Sequence, residues 1–290
     1  MIARLLRYAP VPKLHAMSAR TSDDIAPGGR PLELLFEHSD LPRFELPEAL
    51  SDNYGGTLGF SSPCLIANFV ASLDGVVAVP GSVESGQIIS GRNPADRFVM
   101  GLLRACADAV LVGAGTFRKS SGHLWYPERI YPAAAALFAE ARERLGLAPQ
   151  PQFVLLSQSG ELDTTEPAIE GALIVTTRAG ESQLRARVPK SSRVVALGES
   201  TIELAKLIEL LRAEGYARVL TEGGPTLFAE LVAQKLLSEL FLTSAPSLFG
   251  RYADDERKSL ADGLDLGGAQ LELLSARRHG SHLFLRYALE

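Results

Sequence analysis

Residues 218–228 read RVLTEGGPTLF and carry the clearest fold signal in the chain. An apolar strand runs directly into Gly223 and Gly224, and Pro225 then begins a helix. Proline suits a first helical position because its missing N–H would have no helical partner there. A strand–glycine–helix turn brings bare backbone close to a ligand and aims helix N–H groups at an anion. The segment therefore predicts an α/β sheet with a phosphate-binding turn; the alternative is an ordinary tight turn with a surface glutamate at Glu222.

A second strand ends in a similar turn at residues 109–116, which read AVLVGAGT. Gly113 and Gly115 permit close approach of the backbone, and Thr116 can cap a helix or donate to an anion. Two such turns in one sheet fit the two phosphates of a dinucleotide. Neither turn has the G-x-G-x-x-G pattern, so an ordinary Rossmann domain is disfavoured. The alternative is two unrelated tight turns.

Composition restricts the class of protein. The 290 residues are 46% hydrophobic and 22% charged, which is typical of a globular chain with a buried core. A net charge of -5 disfavours a nucleic-acid surface, which needs a concentrated basic face. No apolar run approaches the roughly 18 residues of a membrane span. Cys64 and Cys106 lie in apolar segments without metal-ligand spacing, which predicts buried thiols and a cytoplasmic protein.

The sequence pattern of the chain changes near residue 62. We predict that residues 1–61 form an N-terminal extension, which is a partly disordered arm with a short helix at Leu32–Glu37. We predict that residues 62–290 form one domain. Within the domain, strands alternate with amphipathic helices, which indicates a mostly parallel central sheet flanked by helices. The last two strands, near 270–275 and 282–289, lack an intervening helix and predict an antiparallel edge hairpin. The other predicted strands cover 64–71, 109–112, 153–156, 173–176, 194–197, 218–221 and 239–243.

The order of four segments resembles a known family. They read NFVASLDG at 68–75, IISG at 88–91, VLVGAGT at 110–116 and TEGGPTL at 221–227. Together they resemble the reductase (C-terminal) domain of the bacterial bifunctional riboflavin-biosynthesis deaminase–reductase, over roughly residues 63–289. The resemblance implies a dihydrofolate-reductase-like fold, a homodimer, and NADPH-dependent reduction of 5-amino-6-(5-phosphoribosylamino)uracil to the ribitylamino product. The zinc motif of the deaminase, H-x-E followed by P-C-x-x-C, is absent from the sequence, so neither deamination nor a metal is expected.

The resemblance also implies roles for individual residues. In the substrate site, Glu222 would accept hydrogen bonds from the pyrimidine ring and act in catalysis, while Arg104 would reach the cleft to hold the sugar phosphate. Ser85 would also contact substrate. The implied NADPH-binding residues are Gly113, Gly115 and Thr116 on one side of the diphosphate, Gly223, Gly224 and Thr226 on the other, Ala71 and Ile88 around the nicotinamide, and Ser157 near the 2′-phosphate.

One loop departs from the family pattern. Where family members follow the second glycine turn with an Asp-Asp-Pro run, residues 117–126 here read FRKSSGHLWY. Trp125 and Tyr126 either stack on a flat ring or anchor the following helix. His123 is a candidate proton donor, or an ordinary loop histidine. The alternative functions are therefore a reductase of the same fold acting on another pterin-like, pyrimidine or carbonyl substrate, and a non-catalytic nucleotide-binding protein.

Overall fold

The computed structural model describes residues 30–82, 85–251 and 256–289, so the order expected for residues 1–29 lies outside the described part. Its strands are β1 Glu33–Glu37, β2 Cys64–Ser72, β3 Val76–Ala78, β4 Ala109–Gly113, β5 Gln152–Ser157, β6 Leu173–Thr176, β7 Arg193–Ala196, β8 Arg218–Thr221, β9 Glu239–Ala245, β10 Lys258–Ser259, β11 Leu271–His279 and β12 His282–Leu289. Its helices are α1 Glu48–Tyr54, α2 Ser85–Ile89, α3 Pro94–Cys106, α4 Ala114–Arg118, α5 Pro127–Ile130, α6 Ala135–Arg144, α7 Arg178–Leu184, α8 Leu204–Ala213 and α9 Pro225–Ala233.

A ten-stranded sheet, in the order β1-β11-β12-β9-β2-β8-β4-β5-β6-β7, organises the molecule. The seven strands from β9 to β7 are parallel, and β12, β11 and β1 add antiparallel pairs. The predicted α/β fold with a mostly parallel sheet and an antiparallel C-terminal hairpin is therefore confirmed. The hairpin is not at the edge, however, because β1 pairs outside β11.

Strand β1 replaces the helix that was predicted at Leu32–Glu37. A run of so few residues is marginal as an isolated helix. The exposed edge of β11 instead offers a ladder of backbone hydrogen bonds, and Glu33 and Glu37 form ion pairs across that ladder with Arg278 and Arg277. The edge strand is therefore a product of tertiary pairing.

The N-terminal extension from Leu32 onward is part of the core. Leu50, Tyr54, Leu58 and Phe60 are each no more than 3% exposed and join the cluster under α3 and α6. These residues pack as one body with the strands of the domain. The pattern of the sequence changes between residues 61 and 62. That this position is a domain boundary stays a prediction.

Helices cover both faces of the sheet. Helices α3 and α6 lie over one face, and α8 and α9 lie over the other, each with a separate apolar cluster. Helix α3 begins where its sequence predicts, because Pro94 follows Asn93, whose side chain accepts from the Ala95 N–H at 2.8 Å. Helix α8 begins at Leu204, after Glu203 at the N-cap position.

Strand β9 is an interior strand. Strands β2 and β12 occupy its two sides, so β9 has no free edge at which a second copy could pair. The edges of the large sheet are β1 and β7. No helix in the part of the chain that the structure describes is both long enough and apolar enough to span a membrane.

Candidate active site

The two glycine turns lie side by side. Strands β4 and β8 are parallel neighbours, so the turns that follow them share one edge of the sheet. A Cβ atom added to Gly224 would lie 3.3 Å from Thr116 Oγ1, a separation tighter than ordinary van der Waals contact. Residues that are more than a hundred positions apart in the chain therefore form one cradle of bare backbone.

Local hydrogen bonds shape the turn after β8. The Thr221 hydroxyl donates to the Leu111 carbonyl at 3.2 Å and accepts from the Gly223 N–H at 3.2 Å. A Cβ on Gly223 would come within 2.6 Å of Leu227 Cδ2, so a side chain there would disturb the helix packing. Gly224 begins α9 without a side-chain cap among the described residues, which leaves the first N–H groups of the helix for another acceptor.

The residues implied for the nicotinamide side lie at the same edge. Ala71 is buried near the end of β2, and Ile88 is 44% exposed on α2. Ser85 uses its hydroxyl within the protein: it accepts from the Val79 N–H at 3.0 Å and donates to the Val79 carbonyl at 3.3 Å. A substrate contact by Ser85 would have to compete with these bonds.

Ser157 stands apart from the other implied cofactor residues. It ends β5, one strand beyond β4, and its hydroxyl accepts from the Gly160 N–H at 3.2 Å. The residue is 2% exposed. The structure therefore places it on the expected edge of the sheet but inside a turn, with its hydroxyl already in use.

Arg104 and Glu222 form a buried, two-pronged ion pair. Arg104 Nε donates to Glu222 Oε1 at 2.8 Å, and Nη2 donates to Oε2 at 2.6 Å. The side chains are only 1% and 8% exposed. Arg104, which was expected to reach a cleft, is instead buried, because α3 lies directly over the end of β8. In this geometry each charge has its counter-ion within hydrogen-bond distance, which offsets part of the cost of burying it.

Asp96 is a buried carboxyl that the sequence did not single out. It reads as an ordinary acidic residue in the first turn of α3, yet it is only 8% exposed. Burial is the main cause that raises the pKa of Asp96 to about 6, and the charge of Glu222 adds to it. The burial of Asp96 could have been inferred from one signal in the sequence: an acidic residue in a helix whose face toward the sheet is otherwise apolar.

Comparisons with known proteins identify this arrangement. A model of the RibD C-terminal domain family matches residues 63–285. The chain belongs to the RibD C-terminal domain family. It is 28% identical over 191 residues to the 2,5-diamino-6-ribosylamino-4(3H)-pyrimidinone 5′-phosphate reductase of Archaeoglobus fulgidus, covering 65% of this chain and 82% of that protein. It is 30% identical over 197 residues to the riboflavin biosynthesis protein RibD of Chlamydia pneumoniae, covering 65% of this chain and 47% of RibD.

Solved structures support the same fold. A pyrimidine reductase-like protein from Corynebacterium diphtheriae superposes with a TM-score of 0.64 at 22% identity, covering 85% of this chain and 96% of that one. Acinetobacter baumannii RibD gives a TM-score of 0.60 at 20% identity, covering 83% of this chain and 60% of RibD. The RibD C-terminal match begins at residue 63, so β1 and α1 lie outside it.

The loop that departs from the RibD C-terminal pattern is anchored in the core. Trp125 is 4% exposed and stacks on Phe153, with ring centroids 4.6 Å apart. The Glu166 carboxylate accepts from the Ser121 hydroxyl and the Gly122 N–H, which ties the loop tip down. Of the two interpretations of Trp125, the structure favours the anchor over the exposed stacking platform.

His123 in this loop contacts the arginine of the buried ion pair. Its Nε2 lies 3.2 Å from Arg104 Nη2, and Arg104 Nη1 donates to the Tyr126 carbonyl at 3.3 Å. Because a guanidinium has no acceptor, His123 Nε2 must accept, which places the ring proton on Nδ1. Burial, followed by the charge of Arg104, lowers the pKa of His123 to about 4. A neutral imidazole held in this way is not a ready acid at pH 7, so the structure argues against His123 as the proton donor.

We expect His123→Gln to reduce the acid sensitivity of the fold. The unfolded histidine titrates near pH 6.5 and the folded one near pH 4. The native state therefore binds fewer protons than the unfolded state between these values, and stability falls as pH falls through them, by on the order of 2–3 kcal/mol. Gln places an amide oxygen near the position of Nε2 and does not titrate. Urea unfolding at pH 7 and pH 4.5 should show a smaller difference for the variant than for wild type.

The chain offers a direct probe for the same titration. Trp125 is the one tryptophan in the sequence, and its ring centroid lies 4.7 Å from that of His123. Protonation of His123 should quench Trp125 fluorescence with a midpoint near pH 4. A quench centred at pH 6 or above would contradict the neutral assignment.

Proposed function

We propose that this chain is an NADPH-dependent reductase of riboflavin biosynthesis. It would reduce the ribosylamino group of a pyrimidine phosphate, 5-amino-6-(5-phosphoribosylamino)uracil or its pyrimidinone counterpart, to the ribitylamino product. The observation that carries the proposal is the pair of adjacent glycine turns, after β4 and β8, in a member of the RibD C-terminal domain family. Relatives whose names denote reduction of a ribosylamino pyrimidinone phosphate support this substrate class.

The cradle fits the diphosphate of a dinucleotide. Gly115 faces open space, because a Cβ added there would meet no atom within 4 Å, and Gly224 is too close to Thr116 to carry a side chain comfortably. The uncapped N-terminus of α9 at Thr226 would donate to the phosphates. When bound, a reduced nicotinamide supplies a hydride. We place it beside Ala71 and Ile88.

The 2′-phosphate contact proposed for Ser157 requires a local exchange, because its hydroxyl would have to leave the Gly160 N–H.

The chain would hold the substrate through the buried ion pair. Arg104 donates one hydrogen bond to each carboxylate oxygen of Glu222, and each oxygen retains a lone pair for ring N–H donors. A phosphate contact by Arg104 would require its guanidinium to exchange at least one of its present partners. Glu222 would thus orient the pyrimidine ring while the anchored loop around Trp125 keeps water out.

Two assays test the proposal and separate it from its alternatives. The purified protein is titrated with NADPH and with NADH, and NADPH oxidation is then followed with the ribosylaminopyrimidine phosphate and with dihydrofolate. We expect saturable binding that favours NADPH, and oxidation that depends on the pyrimidine phosphate. Oxidation of NADPH only with another substrate would support the alternative of a reductase with a different substrate. The basic and aromatic loop at 117–126 is the reason for that alternative. Binding without turnover would support a nucleotide-binding protein, and no binding would contradict the proposal.

We also propose a homodimer in the cytoplasm. The outer strand β1 exposes Leu34, Leu35 and Phe36 by 46%, 49% and 43%, which is apolar surface that a second copy would cover. Light scattering at micromolar concentration should give twice the mass of the chain. The two buried thiols, Cys64 and Cys106, suit a reducing compartment.

A further inference from the structure

Lys258 lies at the start of α9, beside the glycine turn that follows β8. Its Nζ donates to Thr226 Oγ1 at 3.3 Å and to Asp262 Oδ2 at 2.8 Å. Thr226 is the second residue of α9 and belongs to the proposed phosphate cradle. Described residues use two of the three ammonium donors, and the third is left for a ligand. The Lys258 side chain is 41% exposed, so a ligand in the cradle can reach the ammonium.

The backbone that carries Lys258 is held on two sides. Strand β10 pairs with β3, with Lys258 in register with Ala78. Four residues on, the Asp262 N–H donates to the Pro225 carbonyl at 3.5 Å. Between these two points, Leu260 packs against the apolar cluster under α8 and α9. The segment therefore presents the ammonium from an anchored backbone, which lowers the entropy that is lost when a ligand orders it.

Lys258 brings positive charge to a cradle whose other assigned donors are neutral. Those donors are the first N–H groups of α9 and the hydroxyls of Thr116 and Thr226. The net charge of the chain is -5, so the overall field of the protein does not attract an anionic diphosphate. A hydrogen bond from a cation to a phosphate is roughly twice as strong as one between neutral groups. A cation at the cradle itself therefore supplies what the neutral donors and the net charge do not.

The position of Lys258 favours the diphosphate over the 2′-phosphate. Helix α9 follows β8, whereas Ser157, the residue proposed for the 2′-phosphate, ends β5. Strand β4 separates β8 from β5, so the ends of those two strands lie about 10 Å apart. The bond to Thr226 holds the Lys258 ammonium on the β8 side of that gap. The ammonium is therefore beside the turns assigned to the diphosphate.

From these contacts we propose that Lys258 binds the diphosphate of the nicotinamide dinucleotide. The inference rests on the proposed function. The third ammonium hydrogen donates to a phosphate oxygen, and the N–H groups at the start of α9 donate to other oxygens of the diphosphate. This contact is the same before and during the reduction, so it contributes affinity for the cofactor and does not raise the rate of the chemical step.

The test measures dinucleotide binding in four variants of the full chain. Lys258→Met keeps an unbranched side chain and removes its charge, so it should raise the Kd for NADPH by about 10-fold. The Kd for NADH, measured by displacement of NADPH, should rise by the same factor, because both dinucleotides carry the diphosphate and only NADPH carries the 2′-phosphate. Lys258→Arg keeps the charge and should stay within about 3-fold of wild type.

Two further variants separate the ammonium from its surroundings. Asp262→Asn removes the ion-pair partner and keeps the ammonium, so the Kd for NADPH should stay within about 3-fold of wild type or fall. Lys235→Met is the matched control, because it removes the same charge just beyond the opposite end of α9, where Lys235 is exposed. Its Kd for each dinucleotide should stay within about 2-fold of wild type, since salt screens a charge at that distance. Urea unfolding checks that each variant is folded.

Each result bears on a separate claim. Wild type that binds NADPH, together with Lys258→Met within about 2-fold of its Kd, would overturn the role of Lys258. Weaker binding of NADPH alone would place the ammonium at the 2′-phosphate, and an equal loss of affinity in Asp262→Asn would show that the ion pair acts by holding the backbone. Either of these results would also overturn the diphosphate contact. Wild type that binds neither dinucleotide would contradict the proposed function itself.

Discussion

Gly224→Asp is expected to abolish NADPH binding while the protein remains folded. The new Cβ would lie 3.3 Å from Thr116 Oγ1, inside the proposed diphosphate cradle, and the carboxylate would sit at the N-terminus of α9. A negative charge there satisfies the free helix N–H groups, which preserves the helix, but it repels and displaces a diphosphate. We expect the Kd for NADPH, measured by fluorescence titration, to rise by at least about 100-fold, equivalent to roughly 3 kcal/mol.

The control places the same charge at the other end of the same helix. Ala233, the last residue of α9, is exposed, and Ala233→Asp adds a carboxylate far from the cradle. Its effect should be limited to a stability loss of about 1 kcal/mol or less from the helix dipole, with NADPH affinity retained. A folded Gly224→Asp protein that binds NADPH as wild type does would show that the cradle is not the cofactor site.

Glu222→Gln is expected to reduce both stability and turnover. Removing the carboxylate charge leaves the Arg104 guanidinium buried without its counter-ion, which should lower the free energy of unfolding by about 3 kcal/mol. The ring contacts made by a charged acceptor would also weaken, so kcat/KM should fall by roughly 100-fold. NADPH affinity should stay nearly intact, because Glu222 faces α3 and not the cradle.

An exposed pair of similar geometry is the matched control. Arg193 and Glu214 form a two-pronged pair at 2.9 and 2.6 Å, but the Arg193 side chain is 59% exposed. Glu214→Gln should therefore change stability by less than about 1 kcal/mol. The double variant Arg104→Met with Glu222→Leu should recover most of the lost stability without recovering activity. Loss of NADPH affinity in Glu222→Gln with unchanged turnover at saturation would reverse the assigned role.

Local glycine and proline signals for turns and helix starts explain which elements could be predicted. Strand β8 and the start of α9 match their predictions residue for residue. The glycine pair ends the apolar run, and the fixed φ of Pro225 suits a first helical position, so neither signal depends on a distant residue. The prediction of β1 as a helix failed for the opposite reason. Its apolar run is too short to distinguish the 3.6-residue period of a helix from the two-residue period of a strand. Pairing with the edge of β11 makes it a strand.

Side-chain partners were harder to predict than backbone turns. Arg104 lies off the apolar stripe of α3, a position typical of a solvent-facing arginine, yet the end of β8 brings Glu222 against it. Ser85 and Ser157 were assigned to ligands, and the structure shows both hydroxyls bonded to neighbouring backbone. Their roles toward substrate and cofactor stay predictions.

The amino-acid sequence by itself determined the two glycine turns, the alternation of strands and helices, and the membership of the family that these turns indicate. Tertiary structure decided which turn lies beside which, that Arg104 is buried, that His123 is neutral, and that Asp96 keeps its proton to about pH 6. The physical reason is the range of the interactions. Glycine and proline act on the dihedral angles of their own residues, whereas the charge state of a side chain depends on all the groups that share its low-dielectric surroundings.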